Sequence, residues 1–306
     1  MTTLPVGEMA ALGTALLWTL SALAWTAAGR SIGALAVCVV RLGITVVFLM
    51  AYGQIGRGLW WPSDASRETW TILGVSGLFG FFLADLCLFK AFLLIGPRLS
   101  LLVLSLSPPM TAIASWLWLH DKLAWHQWGA MGVTLAGVVW VVLEEPHEKG
   151  PFPVSQHGGL GFVLAVLAAA GQAIGLVLSK QGIGDYDAGA ATFIRVLAAL
   201  AAFAILLTAI GRWPVVLAAT HNARAMLILT LGAIVGPFVG VILCMIALRH
   251  CHAGVAATII STMPVLILPF SIVLHRERVS LRALGGAIVS VLGVALLMLT
   301  GPCGGR

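Results

Sequence analysis

The chain alternates between long apolar runs and short polar stretches. Ten runs come close to the roughly 20 residues that a helix needs to cross the hydrocarbon core of a bilayer. The stretches between them collect the prolines, glycines and charges that end helices. The pattern therefore predicts ten membrane-spanning helices, at residues 7–28, 34–53, 70–94, 97–119, 125–143, 158–179, 188–211, 225–248, 253–274 and 281–299.

The ten runs fall into two sets of five, separated by the polar stretch 144–157, EEPHEKGPFPVSQH. Charge, proline and glycine together are typical of a linker. We therefore interpret residues 1–143 and 158–306 as two five-helix units. Because the first unit has an odd number of spans, the second enters the membrane from the opposite side. The pattern thus predicts an inverted repeat, an architecture typical of secondary transporters.

Unusual residues recur in the same order in the two units, at a shift of about 155 residues. Arg41 in predicted helix 2 corresponds to Arg195 in predicted helix 7. Pro109 in helix 4 corresponds to Pro264 in helix 9, and a charged turn follows each helix. A charge, a proline and a turn in matching order support a duplication.

Composition agrees with a bilayer environment. The chain is 60% hydrophobic and 9% charged, whereas soluble domains carry about 25% charged residues. Its net charge of +6 comes from scattered basic residues, and without a basic cluster nucleic acid is excluded as a partner. The five cysteines lack metal-ligand spacing, and no cofactor or metal is expected. No basic residue precedes Arg30, so the first run is expected to remain as a helix rather than to be a cleaved signal.

Two stretches resemble a known repeat. Residues 88–143, with IGPRLSLLVLSLSPPM followed by GAMGVTLAGVVWVVL, resemble the last three helices of an EamA-type repeat of the drug/metabolite transporter superfamily. Residues 243–299, with ALRHCHAGVAATIISTMPVL and GGAIVSVLGVALLML, resemble it again. The resemblance implies an all-α integral membrane protein with ten transmembrane helices as two inverted five-helix repeats. One departure is the turn at His120 and Asp121, where relatives usually carry Gly-Glu.

The resemblance also implies a location. Bacterial relatives lie in the inner membrane as multi-pass proteins with both termini cytoplasmic. The loop charges of this chain lean slightly against that orientation under the positive-inside rule. The expected partners are a small-molecule substrate and the lipid bilayer, and the sequence leaves a homodimer open.

Four ionisable residues lie well inside predicted spans: Arg41, Asp85, Lys90 and Arg195. Each costs about 2.5 to 3.5 kcal/mol in lipid, so such residues face a cavity or a partner. Asp85 is the only carboxylate among them, and Phe82 lies three residues before it on the same face. Two interpretations stay open. Asp85 carries a proton or binds a substrate ammonium, or it forms a structural ion pair with Lys90 or an arginine. The arginines themselves could simply anchor their helices.

Predicted helix 1 carries Trp18, Ser21 and Trp25 at steps of three and four, which forms an aromatic face with a hydroxyl between the rings. Gln172 occupies about the position of Trp18 in the second unit. We predict that Trp18, Ser21 and Gln172 line a cavity at mid-membrane, and that Trp25 is an interfacial anchor.

Pro109 and Pro264 are predicted to interrupt helices 4 and 9, since proline removes a backbone donor. We interpret them as hinges for alternating access or, alternatively, as static kinks. Hydroxyls within one turn are predicted to line the substrate cavity: Ser105, Ser107, Ser261 and Thr262. The glycines of helices 5 and 10 instead predict close helix packing.

These features predict a secondary transporter of small metabolites that exports neutral or aromatic amino acids by alternating access. No GxxxxGK[ST] motif is present, so the chain has no nucleotide motor of its own. A nucleotide-sugar or sugar-phosphate carrier is the alternative, although more paired basic residues would be expected. An intramembrane serine protease, suggested by GVSG at 74–77, is disfavoured because every histidine lies in a loop or at a helix edge. No enzyme activity is predicted.

Overall fold

The computed structural model describes residues 6–121, 123–144, 158–263, 265–266 and 281–299, and these residues are helical without strands. The helices of the first unit are α1 (Val6–Ile32), α2 (Ala34–Arg57), α3 (Arg67–Gly77), α4 (Ala84–Leu104), α5 (Ser107–Leu119) and α6 (Trp125–Glu144). Those of the second are α7 (Gly158–Ile183), α8 (Ala188–Ile210), α9 (Trp213–Thr220), α10 (Ala223–Ala233), α11 (Val241–His250), α12 (Ala253–Ile260) and α13 (Leu281–Leu299). Two π-helical segments join α3 to α4 and α10 to α11, namely π1 (Leu78–Leu83) and π2 (Ile234–Gly240).

Eight helical segments of the described chain are long and apolar enough to cross a membrane: Val6–Gly29, Leu35–Arg57, Arg67–Ala91, Ser100–Leu119, Trp125–Leu143, Gly159–Ile183, Ala188–Ile210 and Ala223–His250. Leu284–Leu299 is a shorter apolar helix that matches the tenth predicted span. The predicted ninth span, 253–274, is described only as far as residue 266. Residues 145–157 of the predicted linker and Pro264 lie outside the described residues.

Helical backbone runs past the predicted end of helix 3. The hydropathy pattern places a break between residues 94 and 97, at Gly96 and Pro97, but α4 continues through them to Leu104. A proline lacks one donor yet keeps a helical φ, so helical backbone geometry can persist across it.

The π-helical segments were not predicted. They occupy matching places in the two units, and each contains a glycine followed two residues later by phenylalanine, in LFGFFL and IVGPFVG. A π-segment inserts one extra residue per turn and is frequent at functional sites. In π2 the residue after the glycine is Pro237, which has no N–H to donate.

Helix boundaries follow local capping chemistry. The side chains of Ser66, Asp187 and Asn222 accept backbone N–H groups at the starts of α3, α8 and α10. Gly58 and Gly211 end α2 and α8 in the left-handed conformation that glycine adopts without strain. The short helix α9, also absent from the prediction, begins with proline in its first turn, where a missing donor costs nothing.

The interruption of predicted helix 4 lies before Pro109, not at it. Helix α4 ends at Leu104, residues 105–106 form a turn, and α5 then begins at Ser107 with the prolines in its first turn. The first N–H groups of a helix have no intrahelical acceptor, so Pro109 fits there without breaking a hydrogen bond. The prediction of a mid-helix break at Pro109 is therefore wrong in position.

The same turn recurs in the second unit. Ser105 N–H donates to Leu101 and the Ser105 hydroxyl to Leu102, at 3.1 and 2.6 Å. Ser261 N–H donates to Ala257, and its hydroxyl to Thr258, at 2.9 and 2.7 Å. Ser105 and Ser261 are separated by about the 155 residues that relate the two units. A turn therefore follows α12 in the second unit as one follows α4 in the first.

Helices α6 and α13 pack closely through small residues. A Cβ on Gly137 would lie 2.3 Å from the Ser290 nitrogen, and one on Gly293 would lie 2.5 Å from the Thr134 nitrogen. Side chains are thus excluded at both positions, which confirms the close packing predicted for helices 5 and 10.

Candidate functional site

The two π-segments lie where the units meet. π1 packs against α7 and α8 of the second unit, and π2 packs against α1 and α2 of the first. We call the contact of π1 with α7 the π1 seam and the contact of π2 with α1 the π2 seam. Glycines bring both seams into close contact: a Cβ on Gly175 would lie 2.7 Å from the Gly80 Cα, and one on Gly236 would lie 2.2 Å from the Ser21 Oγ.

A partly buried ion pair lies beside the π2 seam. Arg41 on α2 binds the Oδ2 atom of Asp85 on α4 through a guanidinium nitrogen. The Arg41 side chain is 6% exposed and that of Asp85 is 21% exposed. Of the partners considered for Asp85, the structure shows Arg41. The contact with Arg41 uses one of the two carboxylate oxygens, Oδ2.

The Trp25 ring contacts the guanidinium of this ion pair. The guanidinium carbon of Arg41 lies 4.1 Å from the centroid of the Trp25 ring, within the range of a cation–π contact. The indole nitrogen of Trp25 is buried. The prediction of an interfacial anchor is therefore wrong for Trp25, because its N–H faces the protein interior.

Three donors next to the pair have no acceptor. Ser21 Oγ, Trp25 Nε1 and Arg41 Nε are buried atoms without a hydrogen-bond partner in the part of the chain that the structure describes. Ser21 is fully buried. All three residues belong to the first unit. A Cβ on Gly236 of π2 would lie 2.2 Å from the Ser21 Oγ, and one on Gly232 of α10 would lie 3.0 Å from the Trp25 Nε1.

Arg195, the counterpart of Arg41, has different partners. Its Nε donates to the Ser76 hydroxyl at 2.9 Å, and its guanidinium carbon lies 4.8 Å from the Phe81 ring centroid in π1. Ser76 in turn donates to the Gly175 carbonyl at 2.8 Å. None of the ion pairs between described residues involves Arg195. The two matching arginines thus differ. Asp85 neutralises the charge of Arg41, whereas the partners of Arg195 that the structure describes are uncharged.

The other predicted site residues have different environments. Trp18 lies against π2, where a Cβ on Gly240 would be 2.7 Å from its ring. Gln172 is half-buried on α7. Phe82 packs edge-on against Phe203, with ring centroids 4.9 Å apart. Lys90 is exposed on α4, whereas Arg41 and Arg195 are buried and Asp85 is half-buried.

The predicted hydroxyls line the helix interruptions. Ser105 and Ser261 donate to carbonyls of their own helices, as described above, and Thr262 donates to Ile259 at 2.7 Å. Ser107 is buried at the start of α5. These bonds satisfy carbonyls at the turns, so the hydroxyls of Ser105, Ser261 and Thr262 stabilise the interruptions.

Asp121 joins three helix ends, a role that the sequence did not predict. Its Oδ2 accepts from Ser115 and Lys180, each at 2.5 Å, and its Oδ1 lies 3.3 Å from the Nδ1 of His252. Burial alone would raise the pKa of the Asp121 carboxyl. The contacts with His252, Lys180 and Ser115 outweigh burial and hold that pKa well below its ordinary value. The carboxylate therefore links α5, α7 and the start of α12.

Further contacts join loops at the same end of the bundle. The Tyr186 hydroxyl donates to Asp64 Oδ1 at 2.9 Å, and Arg57 binds the other oxygen of Asp64. Arg249 donates to the Tyr186 carbonyl and, at 3.1 Å, to that of Gly184. Burial and the bond to Asp64 raise the pKa of Tyr186 to about 12. Together with Asp121, these residues form a set of polar contacts that we call the polar closure.

Comparisons with known proteins agree with this architecture. A solved structure described only as a crystal structure of a protein matches with a TM-score of 0.78 and 20% sequence identity, over 96% of each chain. At that identity the likeness shows the fold alone. No curated protein matches the chain. The sequence model of the EamA-like transporter family matches residues 5–143 and 159–299, which covers both units and confirms the resemblance seen in the sequence. The chain therefore belongs to the EamA-like transporter family, as a multi-pass membrane protein built from two EamA repeats.

Proposed function

We propose that this chain is a secondary transporter that exports neutral or aromatic amino acids across the inner membrane by alternating access. The family supports transport of a small molecule. The observation that carries the finer proposal is the set of buried charges at the seams between the units: the Arg41–Asp85 pair beside π2 and Arg195 beside π1. Buried ionisable groups in membrane proteins mark substrate or ion pathways.

The balance of charge favours a zwitterion. Arg41 and Asp85 neutralise each other, and Arg195 adds one positive charge. A cation would meet a region that is already positive. A sugar phosphate carries two negative charges, and only one of the two arginines lacks a carboxylate partner among the described residues. An amino acid brings no net charge and adds apolar surface that suits the aromatic rings of Trp18 and Trp25.

Alternating access is supported by the helix interruptions and by the polar closure. Turns at 105–106 and 261–262 divide matching helices, and discontinuous helices are typical of transporters that rock around a central site. The polar closure joins helix ends at one end of the bundle through side chains that can separate without breaking a core. We propose that these contacts open and close in each cycle.

Counterflow in proteoliposomes tests the substrate class. Purified protein is reconstituted with one unlabelled amino acid inside at millimolar concentration, and uptake of the same labelled amino acid is followed for each of the twenty in turn. We expect transient accumulation for at least one neutral or aromatic amino acid. Vesicles without protein provide the baseline. Lack of counterflow for all twenty would contradict amino-acid transport.

A further inference from the structure

Three unpaired donors in one place call for an explanation. Ser21 Oγ, Trp25 Nε1 and Arg41 Nε are buried and have no acceptor among the residues that the structure describes. Ser21 is 0% exposed and Arg41 is 5% exposed. A buried polar group without a partner costs about 1 to 3 kcal/mol, and such groups are rare in native structures.

The three side chains that carry these donors are neighbours. Ser21 and Trp25 are one helical turn apart, on the same face of α1. The Arg41 guanidinium lies over the Trp25 ring, at 4.1 Å. A Cβ on Gly236 would lie 2.2 Å from the Ser21 Oγ and 3.1 Å from Cζ2 of Trp25, so both side chains contact the same point of π2.

Ser21 differs from the other buried hydroxyls nearby. The hydroxyls of Thr14, Thr19 and Thr45 each donate to the carbonyl four residues earlier in their own helix, at 2.8, 2.8 and 2.7 Å. The Ser21 hydroxyl makes no such bond. Helical hydroxyls commonly satisfy themselves in this way, so the unpaired state of Ser21 leaves its donor available to a ligand.

A group that only accepts hydrogen bonds is the chemical complement of these donors. A carboxylate has two oxygens with about four acceptor positions, and arginine is suited to binding carboxylates in buried sites. We propose that Ser21, Trp25 and Arg41 bind the carboxylate of the transported substrate. This inference rests on the proposed function in taking the ligand to be a substrate.

Asp85 extends the site to the amino group. It binds the same guanidinium through Oδ2 alone, and the amino group of an α-amino acid is adjacent to its carboxylate. The ligand therefore places its ammonium beside Asp85 while its carboxylate contacts the Nε edge of Arg41. Each charge of the zwitterion then meets an opposite charge, and the pair remains balanced.

A binding measurement tests the site independently of transport. The thermal unfolding midpoint of purified protein in detergent is measured against increasing sodium valerate, valeramide and L-leucine, because a ligand that binds the folded state raises the midpoint with concentration. We expect valerate and L-leucine to raise the wild-type midpoint more than the neutral amide does, with sodium chloride as the salt control.

Two conservative variants test which side chains bind the carboxylate of valerate. Ser21→Ala and Trp25→Phe remove one donor each and keep the packing. A hydrogen bond to a charged group is worth about 1.5 to 3 kcal/mol, so each variant should weaken valerate binding by about tenfold or more. The matched control is Thr45→Val, which removes a buried hydroxyl that already has its own acceptor and should retain wild-type binding.

The outcomes separate this inference from the proposed function. Equal midpoints with valerate and valeramide in wild type, or unchanged valerate binding in both Ser21→Ala and Trp25→Phe, would overturn the carboxylate site. Valerate binding that the two variants weaken, without counterflow of any amino acid, would uphold the site and reject only amino-acid transport.

Discussion

At the scale of single residues, the ion pair between Arg41 and Asp85 is the most consequential contact. Asp85→Asn leaves a buried guanidinium without its anion, and breaking a buried pair in this way costs about 3 to 5 kcal/mol. We expect a much lower thermal unfolding midpoint in detergent. Replacing both residues by apolar ones, in R41M/D85L, removes both desolvation penalties and should restore the midpoint while abolishing amino-acid counterflow.

The more exposed pair of Arg57 and Asp64 supplies the comparison for this experiment. The Asp64 side chain is 41% exposed, and surface pairs contribute about 0 to 1 kcal/mol. Asp64→Asn keeps an oxygen that can accept from the Tyr186 hydroxyl, so we expect it to lower the midpoint less than Asp85→Asn does. If R41M/D85L were no more stable than Asp85→Asn, the claim that Arg41 and Asp85 neutralise each other would be contradicted.

The low pKa of Asp121 sets the pH at which its contacts are lost. A carboxyl whose pKa is lower in the folded state stabilises the fold above its ordinary pKa, near 3.8, and loses that contribution as the pH falls through the folded value. We expect Asp121→Asn to lower the unfolding midpoint by a similar amount at every pH from 8 to about 5.

Below about pH 4 the difference in unfolding midpoint between Asp121→Asn and wild type should narrow, because the wild-type carboxylate becomes protonated and its contacts stabilise the fold less. Midpoints across the pH series provide the measurement, with Ser63→Ala at an exposed loop position as the unaffected variant. A difference that already closes between pH 7 and pH 5 would contradict a lowered pKa of the Asp121 carboxyl in the folded state.

The sequence identified the buried charges but not how they pair. A charge inside an apolar run is visible in one dimension, so Arg41, Asp85 and Arg195 could all be predicted. The partner of Asp85 depends on how α4 is rotated about its axis, and π1 changes that rotation by one extra residue immediately before it. Lys90 is a helical neighbour in the sequence, yet the structure leaves it exposed.

At the scale of secondary-structure elements, the glycines of the seams control how closely the units approach. A Cβ on Gly175 would lie 2.7 Å from the Cα of Gly80 and 2.9 Å from its nitrogen, and backbone atoms cannot move aside locally. Overpacking of this kind costs about 1 to 3 kcal/mol. We expect Gly175→Ala to lower the unfolding midpoint clearly.

Gly43 offers a matched position on α2. A Cβ there meets nothing within 4 Å, and alanine is favoured over glycine in a helix by about 1 kcal/mol. Gly43→Ala should leave the midpoint unchanged or raise it. If Gly175→Ala were as stable as Gly43→Ala, the close contact of π1 with α7 would not be a constraint on the fold.

The membrane-spanning helices could be predicted because the bilayer requires long apolar segments. The π-segments and the exact helix ends could not, because they depend on backbone hydrogen bonding. The need to satisfy the backbone in lipid gives long apolar runs, and these located eight spans in the described chain. π1 and π2 contain the same apolar residues as an ordinary helix, so hydropathy has no signal for them. The sequence predicts the interruption at Pro109 instead of Ser105, because it shows which residue lacks a backbone N–H but not where the next helix begins.

At the scale of the whole molecule, the inverted relation of the two units is directly testable. The loop after α2 and the loop after α8 occupy matching places in the repeat, and inversion puts them on opposite sides of the membrane. Single cysteines replacing the exposed residues Ser63 and His221 should react with a membrane-impermeant thiol reagent from opposite faces of oriented vesicles.

This labelling needs a background in which the native cysteines are replaced. Those that the structure describes are buried: Cys38, Cys87, Cys244 and Cys251. Permeabilised vesicles, in which both positions react, serve as the control. Labelling of Ser63→Cys and His221→Cys from the same face would refute the inverted arrangement, and alternating access between inverted halves with it.

Arg195 makes the bundle electrically asymmetric. Arg41 and its carboxylate move together as a dipole, whereas Arg195 has a hydroxyl and an aromatic ring as its partners. A full charge that crosses the membrane experiences about 2.3 kcal/mol per 100 mV. Any rocking of α8 that carries Arg195 through part of that distance therefore lets the membrane potential favour one conformation over the other, even when the cargo itself has no net charge.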